Sequence, residues 1–382
     1  MEKVKLTDIC DFQGGSQPPK EEWSFDEQEG YIRMLQIRDF TQGERVTPEY
    51  IKISNTTKMC EANDILIARY GASIGKILTG LAGAYNVAIM RTIPDTSRIK
   101  KLYLYYYLKS PYFQNAILNV GSRAAQAGFN KEDLSKLDIE CPELIKQDKI
   151  IAVLEKLECI IEKRKIELSN LDDLIKARFV EMFGDPVKNP KGWEVVTIGD
   201  IVTEVRYGTS KPAAEGGKYP YLRMNNLTAD GHLDLNDLKY IDIPDDEIEK
   251  CVVRKGDVLF NRTNSIELVG KTVVFDLQED MIIAGYIIRV RLNKRLLPEI
   301  LSQYMNLEAL KDILRSMAKG AVNQANINAQ ELQSIKVYIP DMELQKQFIE
   351  MKNQVDKSKV AVQKALDETQ ILFDSLMQKY FG

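Results

Sequence analysis

Histidine is almost absent from this sequence: His232 is the only one in 382 residues. That removes most acid-base triads and most metal centres, which place an imidazole at the reacting atom. His232 itself stands in the turn-like Asp230-Gly-His-Leu, a composition that suits a solvated loop. Cysteine is scarce as well. Cys10, Cys60, Cys141, Cys159 and Cys251 are odd in number and never spaced as a metal pair, so neither a disulfide framework nor a structural zinc is expected, and the compartment is a reducing one. Long apolar runs are missing too: no stretch approaches the ~18 residues of a membrane span, and the start, Met1-Glu-Lys-Val-Lys-Leu-Thr-Asp, lacks the apolar core of a signal peptide. The expectation is a cytoplasmic protein. A net charge of −4 gives no overall basic excess, which argues against nonspecific coating of nucleic acid but leaves local patches open.

What is present is said twice. Tyr31-Ile-Arg-Met-Leu-Gln-Ile37 is followed by Asp64-Ile-Leu-Ile-Ala-Arg69, Gly75-Lys76, Gln126, Leu134, Pro142, Gln147 and Met182-Phe183-Gly184. Later come Tyr221-Leu-Arg-Met-Asn-Asn-Leu227, Asp257-Val-Leu-Phe-Asn-Arg262, Gly270-Lys271, Gln324, Leu332, Pro340, Gln345 and Tyr380-Phe381-Gly382, the offset growing from 190 to 198. Two copies this long can each bury a core, which excludes a short-period solenoid or propeller. In each copy, β-branched and aromatic runs such as 64–68, 87–93, 257–260 and 286–292 alternate with turn residues and with helix-length segments such as 101–118 and 298–317. These mixed regions predict α+β domains over 1–145 and 185–343.

Each mixed region is followed by a segment of helical period, 146–184 and 344–382. Steps of four and three run through Ile150, Leu154, Leu157, Ile161, Arg164, Leu168, Leu171, Ile175, Arg178 and Met182, a heptad seam. The repeat gives Phe348, Lys352, Val355, Lys359, Val362, Leu366, Thr369, Phe373, Leu376 and Tyr380. The two seams are expected to pack on each other as an antiparallel coiled coil, with the mixed domains related by a pseudo-two-fold axis. Each helix would be on the order of 55 Å long. Acidic and basic residues balance over 146–184, so the outer face suits solvent or a protein partner, and Gly184-Asp-Pro186 provides a stop.

With these motifs in order, twice, over nearly the whole chain, the sequence resembles the specificity subunit of type I restriction-modification systems. The motifs are Asp64-Ile-Leu-Ile-Ala-Arg69 with Gly75-Lys76, Asp257-Val-Leu-Phe-Asn-Arg262 with Gly270-Lys271, the stretches Gly121 to Gln147 and Gly320 to Gln345, and Arg178-Phe-Val-Glu-Met-Phe-Gly-Asp-Pro186. Cys141-Pro142 departs from the Ile-Pro entry of the second copy, a packing change. The resemblance implies two target-recognition domains, each reading half of a split duplex sequence, and a helical spacer that docks two methyltransferase subunits. It also implies restriction (translocase and nuclease) subunits as partners, with S-adenosylmethionine, ATP and magnesium on those partners rather than on this chain.

Arg, Asn and Gln on loops can bond base edges, while Lys mainly holds phosphate. The candidates for DNA contact are Arg69, Tyr70, Lys76, Arg123, Gln126 and Asn130 in the first copy. In the second they are Arg206, Asn261, Arg262, Asn264, Lys271, Asn323, Gln324 and Asn326. Residues 98–136 and 289–319 carry a local basic excess around them. Enzyme readings find no support. Gly270-Lys-Thr272 has Ser265, and Gly75-Lys76 has Tyr70, where a phosphate loop needs glycine. Pro340-Asp341 with Glu350 and Lys352 matches a loose nuclease pattern, but the last two fall on the long helix. No Asn-Pro-Pro-Tyr tetrapeptide or Gly-rich cofactor loop is present, so the chain is expected to be non-catalytic. The competing expectations are a two-domain scaffold that binds no DNA, and a silent or orphan specificity subunit.

Overall fold

The computed structural model describes residues 3–121, 128–321 and 324–382. The chain divides into two compact units, Met1–Arg164 with Lys364–Gly382, and Lys165–Gln363. Both boundaries fall inside the long helices, Leu144–Phe183 and Met342–Phe381, so each unit is a mixed domain carrying half of each helix.

In the first unit one sheet runs in the order Cys10–Gly14, Ile89–Pro94, Leu66–Ala68, Ile77–Leu78. Leu66–Ala68 is buried throughout, which is why its sequence reads as an unbroken apolar run instead of an alternation. A second sheet runs Trp23–Ser24, Tyr50–Lys52, Tyr31–Leu35, Gly83–Tyr85, Met59–Cys60, and contains one parallel pair. The second unit repeats both. Val202–Tyr207, Ile287–Leu292, Val258–Asn261 and Thr272–Val274 form the first sheet, and Lys239–Ile241, Tyr219–Leu222, Met281–Ile283 and Val252–Val253 the second.

The structural repeat corrects the sequence repeat at one place. Leu35 is paired with Tyr85 and Leu222 with Ile283, so Leu222 is the counterpart of Leu35. The turns that follow agree: the Gln36 N–H donates to the Asp39 carboxylate as the Arg223 N–H donates to the Asn226 amide oxygen. The Tyr-x-Arg-Met similarity between residues 31 and 221 is therefore out of register by three positions. Each predicted helix in the mixed regions is also two. Ser110, extended before Pro111, separates Lys101–Lys109 from Pro111–Gly121, and Asn306-Leu307 separates Pro298–Met305 from Glu308–Met317.

Within each unit the two half-helices run antiparallel. In the first, Ile150 and Leu154 share a core with Met377 and Phe381, and Arg164 donates to the Ala365 carbonyl and Thr369. In the second, Phe348 packs against Phe179 and Phe183 with ring centroids 5.2 and 5.6 Å away, and Lys359 pairs with Asp172. Every predicted seam side chain (Ile150, Leu154, Leu157, Ile161, Leu168, Leu171, Ile175, Phe348, Val355, Val362, Leu366, Phe373, Leu376) is buried or half-buried. The last turns depart from the heptad. Phe179 and Phe183, and at the equivalent places Met377 and Phe381, are the buried residues, whereas Arg178 and Met182 are half-buried. Two successive steps of four rotate the stripe there, because those turns enter a domain core rather than a helical seam. Gly184, at φ 88°, then ends the helix.

Candidate nucleic-acid interface

Both units build the same backbone frame where their two sheets meet. In the first, Gly15 N–H donates to Ile89 O (3.1 Å), Ser16 to Tyr85 O (3.1 Å), Asn86 to Leu35 O (3.2 Å) and Arg69 to Ala88 O (2.8 Å). In the second, Gly208 donates to Ile287 O (3.1 Å), Thr209 to Ile283 O (2.9 Å), Ala284 to Leu222 O (2.9 Å) and Arg262 to Tyr286 O (2.9 Å). The crossing demands glycine: a Cβ on Gly15 would lie 2.1 Å from the Asn86 carbonyl oxygen, and one on Gly208 2.2 Å from that of Ile283. Four loops are gathered in each unit, and their tips carry side chains outward.

Arg69 and Arg262 are brought to equivalent places. The Arg69 guanidinium lies 5.0 Å from the centre of the Tyr70 ring, and its Nε donates to Phe129 O at 3.3 Å. Arg262 lies 5.0 Å from the Tyr207 ring. The aromatic plate comes from different strands, since Tyr207 occupies the place of Gly14, whose missing Cβ leaves room for Arg69. Each contact stabilises its arginine by about 0.5–1 kcal/mol. Tyr70 is exposed and bridges to Gly128 as Thr263 pairs with Asn326. Arg262 Nε, Thr263 Oγ1 and Asn326 Oδ1 are buried without a hydrogen-bond partner among the described residues.

The remaining candidates divide. Lys76 and Gln324 are exposed, and Arg206 is exposed but paired with Glu204 at 3.1 Å. Three candidates carry structural roles. Asn130 is a helix cap whose oxygen accepts from the Asp133 N–H (3.1 Å), the role Asn328 plays in the second unit. Asn261 is fully buried, donating to Thr263 O and Tyr286 O at 3.2 Å while accepting from Asn264 at 2.9 Å, so it braces the loop from inside. Lys271 is buried, its ammonium donating to Met224 O at 2.7 Å, and burial pushes its pKa down. Asn264 is half-buried and engaged with Asn261 and Ser265. Arg123, Gln126 and Asn323 lie outside the described residues.

The sequence reading found two further repeated motifs but not their structural roles. Gln147 and Gln345 are completely buried and clamp each long helix to its domain. Gln147 donates to Arg98 O (2.8 Å) and Pro142 O (2.7 Å) and accepts from Lys100 N–H (2.8 Å). Gln345 does the same with Arg295 O (3.1 Å), Pro340 O (2.8 Å) and Leu297 N–H (2.9 Å). The signal was a glutamine five residues after a proline in both copies. Asp64 and Asp257 close the loops before the strands that lead to Arg69 and Arg262. Each caps a backbone N–H, of Glu61 and Arg254, and binds a strand arginine, Arg91 and Arg291, at 2.8 Å. Burial works to raise the Asp64 pKa, but the Glu61 N–H, Lys101 and Arg91 outweigh it and hold the carboxyl below its usual range.

Among the described residues no group of three or more His, Cys, Asp and Glu could hold a metal ion, and no helix is long and apolar enough to cross a membrane. Glu350 and Lys352 lie on the closing helix. A family model described as "Type I restriction modification DNA specificity domain" matches twice, over residues 1–170 and 190–369. The EcoKI type I restriction enzyme specificity subunit of Escherichia coli (strain K12) is 24% identical over 299 residues, 73% of this chain and 64% of that protein. The putative MjaX type I restriction enzyme specificity subunit of Methanocaldococcus jannaschii is 30% identical over 196 residues, 50% of this chain and 46% of that protein. The matches thus span under two thirds of these relatives. A solved structure from a study of complex assembly and conformational transition of the type I restriction-modification system superimposes with a TM-score of 0.62 at 20% identity, covering 100% of this chain and 97% of the other, which fixes the shared fold.

Proposed function

The chain belongs to the type I restriction modification DNA specificity family, and from that premise we propose that it selects the DNA target of a type I restriction-modification assembly. Each unit reads one half of a split duplex sequence. The observation that carries this is a repeated frame with unlike tips: Gly15 and Gly208 make the same crossing, yet Gln17, Gln36 and Asn86 stand where the second unit has Ser210, Arg223 and Ala284. Two equal scaffolds with different side chains suit two different half-sites, since sequence is read by side chains at base edges and backbone contacts only position the protein.

The chain is a recognition subunit and not an enzyme. Adenine methylation and ATP-driven cleavage fall to separate modification and restriction subunits. Two methyltransferase subunits dock on the helices, and S-adenosylmethionine, ATP and magnesium are held by the partners. The assembly works in the cytoplasm. The test is to map adenine methylation across the host genome with this gene intact and deleted, the neighbouring modification gene remaining expressed. Loss of one split motif on deletion is expected. An unchanged map would contradict the proposal.

A further inference from the structure

Beside the frame of the first unit lies an open pocket of about 430 Å³. Its wall includes Trp23, whose indole N–H is tied to Pro18 O at 3.2 Å, and Phe25, which is 71% exposed. A phenyl ring so exposed beside a polar pocket invites an apolar partner. Arg38 and Gln36 are both held on the Glu49 carboxylate. That engagement matters for chemistry, because Glu is an acceptor from cytosine, and here its carboxylate is taken up by Arg38 and Gln36. The amides remain. Asn86 accepts from Ala88 N–H at 3.1 Å, leaving its NH2 group for a ligand, and the exposed Gln17 amide makes no hydrogen bond to the described residues.

We propose that this pocket reads one A·T base pair in the half-site of the first unit, Gln17 bonding adenine N6 and N7 from the major groove and Phe25 packing on the thymine methyl. An amide offers one acceptor and one donor in the pattern that adenine complements, and an apolar ring complements only thymine's methyl group. The second unit keeps the frame and replaces the pocket's amides with Ser210 and Ala284, so this preference belongs to one half-site alone. Gln17 and Phe25 are exposed and stand outside the buried core.

This inference rests on the proposed function. Its test uses the full chain assembled with its modification subunits, measuring methylation rates on duplexes changed one base pair at a time across both half-sites. Because Gln17 and Phe25 are exposed, Gln17→Ala and Phe25→Ala should fold and assemble normally. Gln17→Ala should lose roughly tenfold to hundredfold discrimination at one A·T pair and nowhere else. Wild type should discriminate thymine from uracil at that same pair, and Phe25→Ala should not. Discrimination unchanged at every position in Gln17→Ala, or relaxed in both half-sites, would overturn the inference while leaving the proposed function standing. A wild-type assembly that discriminates no split sequence would overturn both.

Discussion

A buried lysine contributes to the pH dependence of this protein. Lys311 is buried, donating to Gly270 O at 2.7 Å and Asn306 at 2.9 Å, and burial with Arg315 nearby pushes its pKa from 10.5 down to about 8. The equivalent carbonyl in the first unit, Gly75 O, is satisfied by a neutral amide, Gln114, at 2.9 Å. Because the folded pKa lies below the unfolded one, the unfolded chain binds more protons between pH 8 and 10.5, and stability from this group rises with pH across that window. Below it the cost is constant, on the order of 3 kcal/mol. Lys311→Gln should therefore raise stability at pH 7 and flatten the rise, measured by denaturant unfolding at several pH values. An unchanged slope would contradict the burial argument. Gln147 gives a second residue-level expectation. Gln147→Ala strands the Pro142 carbonyl and the Lys100 N–H, leaves Arg98 O with Cys141 Sγ alone among the described residues, and should lower stability by roughly 2–4 kcal/mol. A melting temperature within a degree of wild type would exclude the clamp. At this scale the sequence was least legible. Asn130, Asn261 and Lys271 carry the right chemistry for DNA, but only the fold reveals that one caps a helix and two are inside.

At the scale of the element, the long helices were legible because an amphipathic stripe repeats along 40 residues, and a one-residue error cannot hide such a pattern. Their last turns were not, because the partner there changes from helix to domain core. Phe179 and Arg178 separate the two accounts. Phe179→Ala removes a ring packed on Phe183 and Phe348 and should cost about 3–5 kcal/mol, whereas Arg178→Ala loses one exposed pair with Glu181 and should stay within about 0.5 kcal/mol. Equal losses in the two variants, read from thermal or denaturant unfolding, would restore the strict heptad. The strands of the second sheet were the hardest to align. Short strands pair through backbone, so the Tyr-x-Arg-Met likeness drew residues 31 and 221 together although the hydrogen bonds put Leu35 and Leu222 in register.

For the whole molecule, duplication is the organising fact, and it was visible at once because both copies keep the glycines, capping aspartates and clamp glutamines that hold the frame. The loop tips differ between the copies, and there selection for a base leaves no periodic signal. Two readers on one frame should be separable. The most direct measurement replaces residues 1–145 with the matching segment of a relative that has a different target, and maps adenine methylation in cells supplying the modification subunits. The account predicts that one half of the split motif changes to the donor's while the other half and the gap between them persist. Loss or change of both halves together would contradict it.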